Sequence, residues 1–188
     1  MGKRPGVRRR GRGGMQFRAA ATQKLKPAKY PSFSLDEERK GEIIDLVHES
    51  GRDVPLSKVR FEDGAISFIP APLGTKVGQR ISFGLNSEII DGNVISIQNI
   101  PDGTIVCNVE KQFGDGGSFI KTAGADATVF SHADDGVILK LASGKFKKLN
   151  PKNRAMIGTL AGGGVEDRPF MRAGVKMMRF KSKGQKYP

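Results

Sequence analysis

The chain has 188 residues, 37% of them hydrophobic, with 25 Gly, 10 Pro and no Trp. That is enough for one medium domain or two small barrels around modest cores, and so much turn chemistry favours short strands over long helices. The net charge of +13 is divided unevenly: residues 1–30 hold ten Lys or Arg and no acid, 31–139 hold nine basic and seventeen acidic residues, and 140–188 hold thirteen basic and two acidic. A mildly acidic body between two basic ends suits a protein that holds a polyanion by those ends.

In chain order, residues 1–36 read as a basic extension without a core of its own, because Gly and Pro oppose helix and like charges repel along it. "SLDEERKGE" offers at most one helical turn, capped by Ser34, since it has almost no apolar face. "EIIDLVHES" reads as a short strand. "KVRFEDGAISFIP" alternates apolar and polar residues around Glu62-Asp63-Gly64, a hairpin signal, and "SEIIDGNVISI" repeats it around Asp91-Gly92. "NIPDGTIVCNVE" turns at Pro101-Asp102-Gly103 and enters another strand. "ATVFSHADDGVILKLASGKFKKLN" reads as three strands with turns at Asp135-Gly136 and Ser143-Gly144. Short strands about ten residues apart predict an all-β protein. Strands within 37–92 would form one barrel and those within 93–165 a second. No convincing helix is predicted, and 166–188 reads as an extended basic tail that follows RNA, with a disordered tail as the alternative.

Cys107, the lone cysteine, excludes an internal disulfide and any multi-thiolate zinc site, and in "IVCNV" it reads as a buried structural thiol. His48 and His132 lack metal-ligand spacing and read as strand-end or loop residues. No apolar run approaches the ~20 residues of a membrane helix. "MGKRPGVRRRGRGG" has the composition of a transit peptide but not its amphipathic pattern, so a soluble cytoplasmic protein is expected.

"GDGGSFIKT", residues 114–122, resembles a phosphate-cradling loop of a nucleotide hydrolase only superficially. That loop needs glycine immediately before the Lys and again five residues earlier. Here those positions are Ile120 and Asp115. Two readings remain for the glycines: a loop that lays backbone amides and Lys121 against RNA, with Asp115 capping the loop's own amides, or a plain interstrand turn. With two Tyr and most Phe in strand patterns, the chain looks better suited to the shape of folded RNA than to reading unpaired bases.

"NIPDGTIVCNVE", "GDGGSFIKTAG", "LASGKFKKLNPKNRAMIGTLAGGG" and "RPFMRAGVK" resemble the universal second-protein family of the large ribosomal subunit, in its archaeal or eukaryotic-cytosolic form. "HESGRDVPLSKVRFEDG" and "APLGTKVG" resemble its first barrel. The resemblance implies an oligonucleotide-binding (OB-fold) barrel followed by an SH3-like barrel, and binding of large-subunit rRNA. It further implies support of subunit association, tRNA binding and the peptidyl-transferase region, without catalysis by the protein. Carried over by position, Gly114, Asp115, Gly116 and Gly117, Arg154, the glycines Gly162, Gly163 and Gly164, and Arg168 and Arg172 match. Lys121 stands where the family often has Arg, Asp126 where it often has Tyr, and Asn153 where it has Cys. The family continues beyond "KGQKYP" into a glycine-rich segment with a histidine, to which neither His48 nor His132 corresponds.

The RNA contacts expected are therefore Arg4, Arg8, Arg9, Arg10, Arg12, Arg18, Lys24, Lys26 and Lys29 at the N-terminus. In the body they are Gly116, Gly117, Lys121, Arg154, Gly162 and Gly163, followed by Arg168, Arg172, Lys176, Arg179, Lys181, Lys183 and Lys186. No catalytic residue, metal ligand or cofactor is expected, and structural Mg2+ or K+ would reach the chain only through RNA. Expected partners are large-subunit rRNA, neighbouring ribosomal proteins and the small subunit at the intersubunit face, with no membrane and no homo-oligomer. The alternatives are a free RNA-binding translation or chaperone factor, marked by a compact basic face rather than basic ends, and the nucleotide hydrolase already disfavoured.

Overall fold

The computed structural model describes residues 2, 11–18, 24–32, 38–85, 87–133, 135–165, 167–182 and 184–185. Within them the strands are β1 (Arg39–Val47), β2 (Leu56–Phe61), β3 (Ile66–Pro70), β4 (Arg80–Phe83), β5 (Val94–Ser96), β6 (Ile105–Cys107), β7 (Ala127–Ala133), β8 (Gly136–Leu141), β9 (Phe146–Leu149) and β10 (Arg154–Ile157). They hydrogen-bond in the order β3-β2-β1-β4-β5-β10-β6-β7-β8-β9. The all-β architecture read from the turn spacing is the one observed.

The hairpin at Asp63-Gly64 forms as predicted. Arg60 pairs with Ile66, and Gly64 takes the positive φ of +79° that its tight turn requires. The run β7-β8-β9 is likewise antiparallel throughout, with a bulge between Val129 and Ser131. The hairpin predicted around Asp91-Gly92 does not form. β4 and β5 meet in a single parallel pair, Phe83 with Val94, and β5 pairs antiparallel with β10 instead. Gly92 N–H donates to Ile157 O at 3.1 Å, so the turn leads the chain towards β10 rather than back along β4.

Two apolar cores result. One gathers Ile43, Val59, Phe61, Ile69, Ile81 and Phe83, with Phe61 and Phe83 5.2 Å apart between ring centres. The other gathers Ile95, Ile97, Ile100, Val106, Val129, Leu139 and Ala155. Three central strands serve both. In β5 Val94 faces the first core and Ile95 the second; in β6 Cys107 and Val106 divide likewise; in β10 Met156 faces the first, Ala155 and Ile157 the second. Side-chain alternation along a strand supplies both faces, and all four residues of β10 are buried. Cys107 is fully buried as predicted; burial, with Asp126 and Asp91 adding to it, pushes its thiol up to about 12.

Two further sequence expectations need correction. The predicted extended tail contains a helix, α1 (Ala173–Ser182). Its Met, Lys and Arg side chains are good helix formers, and Arg179 and Lys181 in the last turn complement the helix dipole. It lacks a buried face, so hydrophobic periodicity gave no sign of it.

The second correction concerns the basic extension, which does contribute to a core. Ala28 bridges Phe68 in parallel, and Ala28 and Tyr30 are 4% and 3% exposed. Tyr30 packs against Phe83 in the first core, and its hydroxyl donates to Asn108 O at 2.6 Å. Burial raises the Tyr30 phenol well above its ordinary value. Residues 24–32 thus form a strap across the body.

Replacing Tyr30 with Ala is expected to cost about 3–5 kcal/mol, as for other large aromatic truncations in cores. Tyr30→Phe, which removes only the hydroxyl donor, is expected to cost roughly 1 kcal/mol. Urea unfolding of the two variants checks both values, and equal losses would assign the strap's contribution to the hydrogen bond rather than to packing.

Candidate nucleic-acid interface

Arg154 is expected from sequence to meet phosphate. It is instead an interior group, with 3% of its side chain exposed beside a Glu110 side chain at 0%. Its Nη2 and Nε donate to Glu110 Oε1 at 2.6 and 3.1 Å, and its own backbone N–H donates to Glu110 Oε2 at 3.0 Å. Its Nη1 reaches Pro31 O at 3.1 Å, and the guanidinium lies 5.6 and 5.7 Å from the Tyr30 and Phe113 ring centres. A fixed fork of donors beside aromatic faces is the arrangement for which Arg rather than Lys is suited. With its guanidinium committed in this way, Arg154 joins the strap, β10 and Glu110 inside the protein.

The GDGG loop is built onto the same clamp. Gly116 N–H donates to Glu110 Oε1 at 3.1 Å, and Gly116 O accepts from Tyr30 N–H at 3.0 Å. Asp115 caps the loop as anticipated, accepting from the N–H groups of Gly117, Lys111 and Gln112 at 2.9, 3.0 and 3.3 Å and from Ser118 Oγ at 2.7 Å. Partial burial alone would raise its carboxyl; the Ser118 hydroxyl and the three amides outweigh it and hold the group below its ordinary value. The amides of Gly116 and Gly117, expected to face phosphate, are therefore taken up inside the protein.

The loop glycines are explained by close packing. A Cβ on Gly116 would lie 2.7 Å from Lys29 Cβ, and one on Gly117 would strike the Asn108 side chain; both residues have φ near +80 to +90°. Lys121 is also turned inward. Its ammonium donates to Ala28 O and Gly117 O at 2.8 and 2.9 Å, joining strap to loop. Burial, with Arg52 and Lys29 nearby, lowers its pKa. The "AGGG" run follows the same logic: a Cβ on Gly162 would meet Asp53 O at 2.8 Å, and Gly163 approaches Gly124 so closely that a Cβ on either would collide with the other's backbone.

The terminal cations behave differently. Arg12, Arg18, Lys24, Lys26, Lys29, Arg168, Arg172, Lys176 and Lys181 are exposed, and Arg179 is half-buried over Phe170. Arg4, Arg8, Arg9, Arg10, Lys183 and Lys186 lie outside the described residues. An open groove of about 900 Å³ beside β1, β2 and β4 is lined by Glu38, Glu42, Glu62 and Glu88 as well as Lys40, Arg60 and Arg80, a surface of mixed charge. Among the described residues no three metal-ligating side chains cluster, and no helix is long and apolar enough to cross a membrane. Sequence reasoning missed Glu110 and Tyr30. The available signal for Glu110 was its position at the end of the apolar run "IVCNV", where a carboxylate continues a buried strand and needs an internal cation.

Arg154→Ala is expected to destabilise the protein by about 3–5 kcal/mol, because it leaves the Glu110 carboxylate buried without its partner. Urea unfolding reads this, and a loss under roughly 1 kcal/mol would mean the pair is dispensable. For Asp115 the folded-state pKa is depressed, so the loop's contribution is complete above the ordinary value of 3.8 and is lost as pH falls through the lower folded value. Asp115→Asn is thus expected to lower the thermal midpoint at neutral pH, with the gap to the native chain closing in acid below 3.8.

The profile of the family "Ribosomal Proteins L2, C-terminal domain" matches residues 90–187. Large ribosomal subunit protein uL2 of Cenarchaeum symbiosum is 70% identical over 188 residues, covering all of this chain and 77% of that protein. The uL2 of Nitrosopumilus maritimus is 69% identical, again across the whole chain and 78% of the relative, and that of Korarchaeum cryptofilum is 44% identical. The resemblance read from the "GDGG" and "AGGG" segments thus extends over the whole length, and this chain belongs to the family of large ribosomal subunit protein uL2.

Proposed function

We propose that this chain is a structural constituent of the large ribosomal subunit, a non-enzymatic protein of the cytoplasmic ribosome that holds large-subunit rRNA. The reading rests on where the cations stand. In the body, Arg39, Arg52, Arg60 and Arg154 each face a carboxylate, Asp63, Glu49, Glu42 and Glu110. At the ends, Arg12, Arg168, Arg172 and Lys181 are exposed and have no carboxylate within ion-pair distance among the described residues. Exposed cations release counterions when they meet phosphate, which is the main source of affinity for a polyanion. A free RNA-binding factor would instead be expected to concentrate its charge on one compact face.

In this role the two cores keep a rigid body between the ends, and the ends engage RNA on either side of it. Neighbouring ribosomal proteins are the natural partners of the mixed-charge groove on the first barrel. Support of subunit association, tRNA binding and the peptidyl-transferase region belongs to the same proposal, as does binding without a cofactor, any Mg2+ or K+ being held through RNA.

Deleting residues 1–18 removes seven cations and spares the strap. The deletion is expected to keep the urea midpoint but to flatten the dependence of log K on log salt for rRNA binding, by about 0.9 for each phosphate that the N-terminus had neutralised. An unchanged slope would remove the N-terminus from the interface. In lysates sedimented through sucrose after a high-salt wash, the full chain is expected to travel with the large subunit; recovery at the top of the gradient would favour the free factor.

A further inference from the structure

Two phenylalanines stand out on the second barrel. Phe130 on β7 and Phe146 on β9 are 55% and 57% exposed, yet their rings touch, with centres 4.9 Å apart and planes at 65°. They meet across β8, where Lys140 pairs with Phe146 in register and with Thr128 on the other side. Lys140 is exposed, as is Lys145 in the turn beside Phe146. Of the acids beside these strands, Asp135 lies at the opposite turn and is paired with Lys148, and Asp126, just before β7, accepts from Thr159 Oγ1 at 3.0 Å. Phe130 follows buried Ala127 and Val129 in alternation and so faces outward, at the bulge between Val129 and Ser131.

We infer that Phe130 and Phe146 form a stacking site for an unpaired RNA base, with Lys140 and Lys145 holding the adjoining phosphates. The inference rests on the proposed rRNA-binding role and adds a second kind of contact to it. Exposed rings on a sheet face flanked by cations match the two chemical halves of a nucleotide, a flat apolar base and an anionic backbone. A purely apolar protein partner would leave the two ammonium groups on the rim without counter-charge. The site also revises the expectation that the strand phenylalanines leave this chain unfit for unpaired bases. Alternation places Phe130 beside buried Val129 and Phe146 three residues before buried Leu149, both on the outer face, and the pairing of β8 with its two neighbours brings the rings together there.

The test uses the full chain and a ten-nucleotide single-stranded RNA carrying one 2-aminopurine, compared with the same strand annealed to its complement. Stacking on a ring is expected to change the probe's fluorescence when the native chain binds the single strand. The double variant Phe130→Ser/Phe146→Ser is expected to bind the single strand about tenfold more weakly, the scale of one base–aromatic stack. It should lose the fluorescence change while keeping its duplex affinity, its salt slope and, since both rings are exposed, its urea midpoint. Phe130→Tyr/Phe146→Tyr is expected to restore single-strand binding. Single-strand affinity and fluorescence unchanged in the Ser variant would overturn the site and leave phosphate binding by the ends intact. Equal weakening towards single strand and duplex would overturn it also, by showing that the rings serve only general affinity. A native chain that binds neither RNA would overturn both this site and the rRNA-binding role. Unchanged RNA binding with loss of a neighbouring ribosomal protein from purified subunits would assign the rings to protein and overturn the base site.

Discussion

The ion pair between Glu110 and Arg154 is the contact through which the rest of the structure is joined. Glu110 follows β6, Arg154 opens β10, and the guanidinium extends to Pro31 of the strap while the carboxylate receives Gly116 of the GDGG loop. Three stretches far apart in sequence, around residues 31, 110–116 and 154, therefore share one charge pair. Buried pairs of this kind contribute little net stability compared with well-packed apolar residues, because both ions are desolvated. Their value here lies in discrimination. A compact arrangement that left either charge unpaired would be strongly disfavoured, so the pair admits one placement of strap, loop and strand together.

Around that clamp, β5, β6 and β10 form a wall with a core on each side. Because Met156 faces one core and Ala155 and Ile157 face the other, a change of volume on either side is transmitted through the same three-stranded partition. Buried Asn153 reinforces the wall from its edge, donating to the carbonyls of Glu110 and Lys111 at 3.0 and 3.1 Å. A cysteine at this position could not make both bonds. The loop chemistry around Glu110 in this chain is accordingly adapted to an amide.

Much of the fold was legible in the sequence wherever partners are neighbours. Asp63-Gly64 joins β2 to β3 and Ser143-Gly144 joins β8 to β9, and both follow from turn residues flanked by alternating apolar positions. Asp91-Gly92 has the same local signature, but the partner of its outgoing strand is Arg154–Ile157, far along the chain, and no local pattern carries that information. α1 escaped because a helix without a buried face leaves no periodicity. For the interface, the two basic ends were legible as charge. The status of Lys121 and Arg154 was not, since composition cannot show which cation finds an internal acceptor. For the glycines the sequence allowed an RNA-facing loop or a plain turn, whereas what approaches Gly116, Gly117 and Gly163 is Lys29, Asn108 and Gly124 of the same chain.

The strap gives the N-terminal arm a fixed point of origin. Tyr30 is locked in the core and Ala28 is bridged to β3, so the preceding residues begin from a known place on the body rather than from a free end. Residues 1–23 have a maximum contour of roughly 80 Å, at about 3.3–3.6 Å per residue. In the proposed role, once the body has docked, their cations would stay within that radius of the anchor, so an encounter with phosphate would be intramolecular. Effective concentrations for such tethered groups reach the millimolar range when the linker can span the sites. In the proposed rRNA-binding role the arm would add residence time to a complex positioned by the body, so that capture and retention would be carried by different parts of one chain.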